Sequence, residues 1–274
     1  MIKVVKREGN FTVSAKKSNG MFDKERQVKK VVSETIWLFG LHAVRDALKN
    51  PLREKLKLIV TQNAADKLSS DIAFNKIKFE ISDSKKFTAP IDKQSVHQGA
   101  ALEVRPLKWG EISEVCKPLD KTARVVMLDQ VTDPNNVGAI LRSAEVFGAL
   151  AVIAPLRYSA PETGALAKTA SGALERQPYL RVKNLSETIK KLKSMGYFII
   201  GMDGDGDSNL DELTTLKEGP LAIVVGAEGP GLRQKTKENC DVLVKIPSVK
   251  KFGSLNVSNA TAIALYSTII RKIN

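Results

Sequence analysis

Three short stretches concentrate the side chains able to handle a polar ligand. In DPNNVGAILRSAEVFGA, Asp133 to Ala149, two adjacent amides, Asn135 and Asn136, precede Arg142 in an otherwise apolar segment. In VVGAEGPGL, Val224 to Leu232, Glu228 stands among glycines directly after an aliphatic run. In IPSVKKFGSLNVSNATAIALY, Ile246 to Tyr266, the residues Ser254, Asn256, Ser258 and Asn259 cluster where a strongly apolar helix begins. Pooled, the three loops centre on amides, hydroxyls, Arg142 and Glu228, with no nucleophilic cysteine, histidine or metal-ligand set. Such an inventory is poor at hydrolysis but suited to holding polar groups while a reactive cofactor supplies the chemistry.

Each stretch also has a plainer reading. Asp133 is a natural N-cap and Pro134 a natural first helical residue. Val137, Ile140, Leu141, Ala144 and Gly148 follow helical spacing as one apolar stripe, with Gly138, Arg142 and Glu145 on the opposite side, where Gly138 leaves space beside the guanidinium. Glu228 would serve as the acid of a helix start. The glycines around it are neither a Walker loop, which needs a following Gly-Lys-Ser/Thr, nor a GxGxxG fingerprint. In the third stretch, capping accounts for one or two of the four polar residues, not all of them. All three follow the carboxyl ends of predicted parallel strands, the place where open α/β sheets bind ligands, and this coincidence outweighs any one stretch.

The elements that must position these loops are legible as alternating aliphatic runs and helical patterns from Thr122 onward. Strands are expected at Ala123–Asp129, Leu150–Pro155, Tyr197–Asp203, Leu221–Gly226 and Val242–Pro247, and a helix at Leu185–Gly196 that stops at its glycine. This pattern predicts a parallel sheet with helices on both faces. Upstream, Ile36–Asn50 reads as one amphipathic helix ended by Pro51. Strands near Lys57–Thr61, Ile77–Ser82 and Gly99–Pro106 complete a small α/β domain. The expected organisation is a basic, disordered arm over 1–35, the small α/β domain over 36–106, a linker over 107–121 and the large domain over 122–274.

At 274 residues the chain is long enough for two cores. Its 43 Lys and Arg against 30 Asp and Glu give a formal charge of +13, which favours a polyanionic partner, RNA or DNA above all. Residues 1–30 alone hold nine basic and three acidic side chains and could track phosphates or simply solvate the terminus. No apolar run approaches a membrane span and no signal-peptide core is seen, so a cytoplasmic protein is expected. Cys116 and Cys240 lack a partner motif, and His42 and His97 form no metal cluster; GDGDSN, Gly204–Asn209, reads as a solvated turn.

In this order, the three stretches resemble the three motifs of the SpoU (TrmH-type) RNA ribose 2′-O-methyltransferases of the SPOUT superfamily. Phe39–Leu48 and Val96–Val104 are similar to the small substrate-binding domain that many members carry, so the resemblance spans roughly residues 36–274. It implies an α/β fold in which a parallel-sheet SPOUT domain with a C-terminal trefoil knot follows a small α/β substrate-binding domain. It also implies a homodimer and S-adenosylmethionine as cofactor. The implied catalytic residues are Asn136, Arg142, Glu228, Ser254 and Asn256, with Glu228 fixing the arginine or shaping its loop. The implied cofactor-binding positions are Met202, Gly226, Ile246 and Leu255; His42 and His97, on their own ordinary partly buried histidines, are by the resemblance markers of the small domain rather than catalytic groups. The implied reaction is 2′-O-methylation of a guanosine in large-subunit rRNA, with a transfer RNA substrate or a non-catalytic RNA-binding role as alternatives. The sequence departs from the pattern at Ser248–Lys251, where Lys250 and Lys251 would add phosphate attraction, and at Asn259.

Overall fold

Ile36–Phe39 alternates rather than coils. It forms strand β1, in which Leu38 enters the main core while Trp37 and Phe39 pack on the other side of the sheet. The chain turns at Gly40, with φ 93°, into helix α1, Leu41–Lys49. The single helix expected over 36–50 is therefore a strand and a helix, separated at the one residue that tolerates this backbone. Then follow β2 (Lys55–Val60), α2 (Gln62–Lys67), α3 (Ser69–Asn75), β3 (Phe79–Ile81) and β4 (Ala100–Val104). These strands make a sheet of order β1-β4-β2-β3. The structure is a computed structural model that describes residues 35–214, 219–249 and 255–270. The basic arm, Lys250, Lys251 and Ser254 lie outside the described residues.

Residues 107–121, expected as a plain linker, carry helix α4, Ile112–Val115, and bury Ile112 and Cys116. The second sheet follows: β5 (Arg124–Asp129), α5 (Pro134–Val146), β6 (Ala151–Pro155), α6 (Gly164–Ala170), β7 (Tyr179–Val182), α7 (Leu185–Ser194), β8 (Phe198–Met202), β9 (Ser208–Asn209), β10 (Leu221–Gly226), α8 (Gln234–Lys237), β11 (Val242–Lys245) and α9 (Val257–Ile270). All pairings are parallel, in the order β7-β6-β5-β10-β8-β11-β9. Alternate residues of the central strands feed two cores. Val126, Leu128, Ile223 and Val225 join α5 and α9 on one face. Val125, Met127, Ala222 and Val224 join α4 and α7 on the other. With both faces covered, the strands read as unbroken aliphatic runs, which is why five of them were visible in the sequence.

The two sheets meet through a buried charge cluster. The Arg53 side chain has no exposed surface and its guanidinium reaches Glu175 at 2.6 Å and Glu162 at 2.5 Å, while also donating to the Arg105 carbonyl at 2.8 Å. Asn50 Nδ2 donates to Glu175 Oε2 at 2.9 Å. Burial works against the charged form of Arg53, but the hydrogen bonds of Glu175 and the charges of Glu162 and Glu175 outweigh it and raise its pKa. Burial likewise pushes the Glu162 carboxyl up, against the pull of Arg53. Beside this cluster the backbones touch. A Cβ on Gly164 of α6 would lie 2.4 Å from both the Phe39 ring and the Trp37 carbonyl oxygen, so only glycine fits.

Candidate active site

Helix α5 starts as its sequence dictates. The Asp133 side chain accepts from Asn135 N and from Asn135 Nδ2, both at 3.0 Å, and Pro134 occupies the first turn. Asn135 is thus taken up by the cap, and Asn136 alone of the two amides turns inward, where it is buried. Val137, Ile140, Leu141 and Ala144 are buried as the stripe predicts. Gly148 is not part of it: the helix ends at Val146, and Gly148, exposed with φ 68°, turns the chain away. Nor does Gly138 leave room beside Arg142. A Cβ there would lie 2.3 Å from Thr169 Oγ1 and 2.9 Å from Ala170 N, so this glycine serves the close packing of α5 on α6.

The loop after β10 is folded back on itself. Gly231 N donates to the Ala227 carbonyl at 3.0 Å, and a Cβ on Gly226 would meet Gly231 C at 2.2 Å. Glu228 is carried at the tip. The third motif supplies Asn256, whose Oδ1 accepts from Ser258 N at 2.9 Å and from Ser258 Oγ at 2.6 Å, capping α9.

These three loops are joined by their own polar side chains. Asn136 Nδ2 donates to Glu228 Oε1 at 2.9 Å, and Asn256 Nδ2 donates to the same oxygen at 2.6 Å and to Asn136 Oδ1 at 2.8 Å. An ionised carboxylate only accepts, so Glu228 dictates which way both amides face. The result is a cluster that is preorganised yet open, since Glu228 and Asn256 are exposed. Sequence reasoning paired Glu228 with Arg142 as one option; here its partners are the two amides. Arg142 lies six residues beyond Asn136, about 9 Å along α5 and about 120° around it. It is exposed, with no hydrogen bond or ion pair to any described residue.

Met202, Gly226 and Ile246 stand half-buried at the carboxyl ends of β8, β10 and β11, which are neighbours in the sheet, and Leu255, half-exposed, precedes α9. These positions offer main-chain groups and apolar side chains but no carboxylate, thiol or imidazole, a chemistry that suits a nucleoside-like ligand and not a metal. Asp129 was missed by sequence reasoning. It is fully buried at the end of β5 and accepts from Arg233 Nε at 2.7 Å and Arg233 N at 3.0 Å, which ties β5 to the segment beyond the Glu228 loop. The signal was an acid closing an otherwise aliphatic strand. His42 is exposed rather than partly buried. His97 stacks on Phe87 at 4.1 Å and accepts from Gly99 N, and burial lowers its pKa. The thiols of Cys116 and Cys240 are pushed up to about 12 by burial, which leaves them poor nucleophiles.

Residues 123–266 match the model of the SpoU rRNA Methylase family, and residues 37–109 match that described as RNA 2′-O ribose methyltransferase substrate binding. Among curated relatives, the chain is 36% identical over 241 residues to the 23S rRNA (guanosine-2′-O-)-methyltransferase RlmB of Pseudomonas putida, covering 85% of this chain and 95% of that one. It is 35% identical over 242 residues to RlmB of Vibrio vulnificus, covering 86% and 97%. Two solved structures share the fold. The SpoU methyltransferase AviRb from Streptomyces viridochromogenes, in complex with AdoMet, matches with a TM-score of 0.72 at 20% identity, over 88% of this chain and 91% of that one. An AdoMet-bound rRNA methyltransferase from Sinorhizobium meliloti matches with a TM-score of 0.71 at 21% identity, over 85% and 86%.

Proposed function

The chain belongs to the SpoU rRNA methylase family, and from that membership we propose that it methylates the ribose 2′-hydroxyl of a guanosine in large-subunit rRNA, with S-adenosylmethionine as donor. The observation that carries the reading is the Asn136–Glu228–Asn256 cluster, which draws three loops together at the carboxyl edge of the parallel sheet. Relatives named for 23S rRNA favour ribosomal over transfer RNA.

The cofactor, when bound, supplies a methyl group already activated on a sulfonium. Met202, Gly226, Ile246 and Leu255 would hold it, and the remaining work falls to the chain: aligning the hydroxyl and easing loss of its proton. Glu228 locks the two amides, so Asn136 and Asn256 present fixed edges to the ribose. Arg142 binds the target phosphate and polarises the hydroxyl. It acts as a positioner, its exposed guanidinium open to a phosphate arriving from solvent. Ser254 belongs to the same set by motif. The C-terminal segment forms a trefoil knot, and the active form is a homodimer. Val146, Ile263 and Tyr266 on α5 and α9 leave an exposed apolar face to support a second copy beside the site. The division into a substrate-binding domain over 36–106 and a catalytic domain over 122–274 follows the two sheets, and the site of action is the cytoplasm; among the described residues no helix is long and apolar enough to cross a membrane.

Transfer of labelled methyl from S-adenosylmethionine to bulk RNA tests this directly. Wild-type protein should label large-subunit rRNA at a guanosine 2′-oxygen, and Arg142→Ala should label it at least ~100-fold more slowly. A wild type that takes up the cofactor and binds RNA but labels none would remove the enzymatic reading.

A further inference from the structure

One opening among the described residues lies not at the strand ends but beside them, between the two sheets. It is a cleft of about 750 Å3. Trp37, Phe39 and Val96 line one wall, and Asn135, Thr163 and Lys168 the other. Three features make it a formed site. Gly164 lets α6 approach Trp37 and Phe39 closely, so the two walls meet at these lining residues. The buried cluster of Arg53, Glu162 and Glu175 fixes the spacing of the walls. Asn135 joins it to the catalytic cluster, since the next residue is Asn136.

The occupant follows from chemistry. The volume lies within the ~300–1,000 Å3 range of small-ligand pockets and holds one or two nucleotides. Single-stranded RNA is read by splaying bases onto aromatic side chains, with cations meeting the phosphates. The cleft offers a half-buried indole, short polar side chains for a base edge and an exposed lysine. We propose that it holds an unstacked nucleotide flanking the methylated one, with Trp37 as stacking wall, Lys168 as phosphate partner, and Asn135 and Thr163 facing the base edge. This rests on the RNA methyltransferase reading above and adds a specificity-determining subsite to it.

The chain has two tryptophans, Trp37 and Trp109, so a Trp109→Phe variant makes fluorescence report on Trp37 alone. Titrating that variant with a large-subunit rRNA fragment should give saturable quenching, and one abasic position next to the methylated nucleotide should abolish it. Trp37→Leu and, independently, exposed Lys168→Ala should raise KM for RNA, Trp37→Leu by about 5- to 100-fold, with cofactor affinity unchanged. The abasic RNA should erase the difference between Trp37→Leu and wild type. A Trp109→Phe enzyme that methylates RNA normally without quenching, or Trp37→Leu and Lys168→Ala variants with unchanged KM, would overturn the subsite. Quenching without methyl transfer would keep the subsite and sink the enzymatic reading instead.

Discussion

Between the two sheets, Arg53 has no exposed side-chain surface and is held by two carboxylates and a carbonyl. On α5, Arg142 stands in solvent with no described partner. The first charge is taken out of water and must be matched on the spot, so its surroundings are closed to any visitor. The second remains hydrated, and its charge is available to a phosphate that arrives from outside. Burial and pairing, not residue type, separate an arginine that holds the fold from one that can meet a substrate.

The sharpest way to break this contrast is to remove the buried partner. Arg53→Met should cost about 3–5 kcal/mol in denaturant unfolding, because Glu162 and Glu175 are left buried without their cation. A loss below about 1 kcal/mol would show that the cluster opens to water. Arg142→Ala should do the reverse and lose at least ~100-fold in methyl transfer while its unfolding free energy stays within about 0.5 kcal/mol of wild type. Coupled losses in both measurements would erase the distinction.

Glu228→Gln probes the open cluster, where an acceptor-only group orients two amides. It should slow methyl transfer about tenfold with unfolding nearly unchanged, since the carboxylate is exposed and its hydrogen bonds exchange with water. A large drop in melting temperature would place Glu228 with Arg53 as a holder of the fold.

The smallest effect concerns pH. Glu162 has its pKa raised by burial above the ordinary 4.5. Between these values the folded chain holds the proton more firmly than the unfolded one. This carboxyl's contribution is therefore present at low pH and lost as pH rises through that window. Measured against wild type, Glu162→Gln should therefore gain stability as pH rises from below the ordinary carboxyl value toward neutrality, read from unfolding curves at each pH. A change of opposite sign would mean that Arg53 outweighs burial at this position.

The sequence made the central strands and the three loops legible for one reason: strands covered on both faces are written in aliphatic residues, and their polar ends stand out. β7 escaped notice because Tyr179–Val182 is short and includes Arg181. β1 was hidden because Ile36–Phe39 runs into α1 with only Gly40 between, and four apolar residues fit either period. Asn136, Glu228 and Asn256 could each be picked out, yet their mutual bonds could not, since they join residues far apart in the chain. The same holds for Arg53 and its acids, Glu162 and Glu175, which lie more than a hundred residues further along the chain.

The sheet order carries a cost in time. β5, buried on both faces, has β6 as one neighbour soon after it is made, but its other neighbour, β10, begins only at Leu221. At the ~5–20 residues per second of ribosomal synthesis, one edge of this fully buried strand waits about 5–20 seconds for its partner. During that interval its bare N–H and C=O groups are a template for wrong pairing. A newborn copy of this chain is therefore most in need of a chaperone between the emergence of β5 and that of β10.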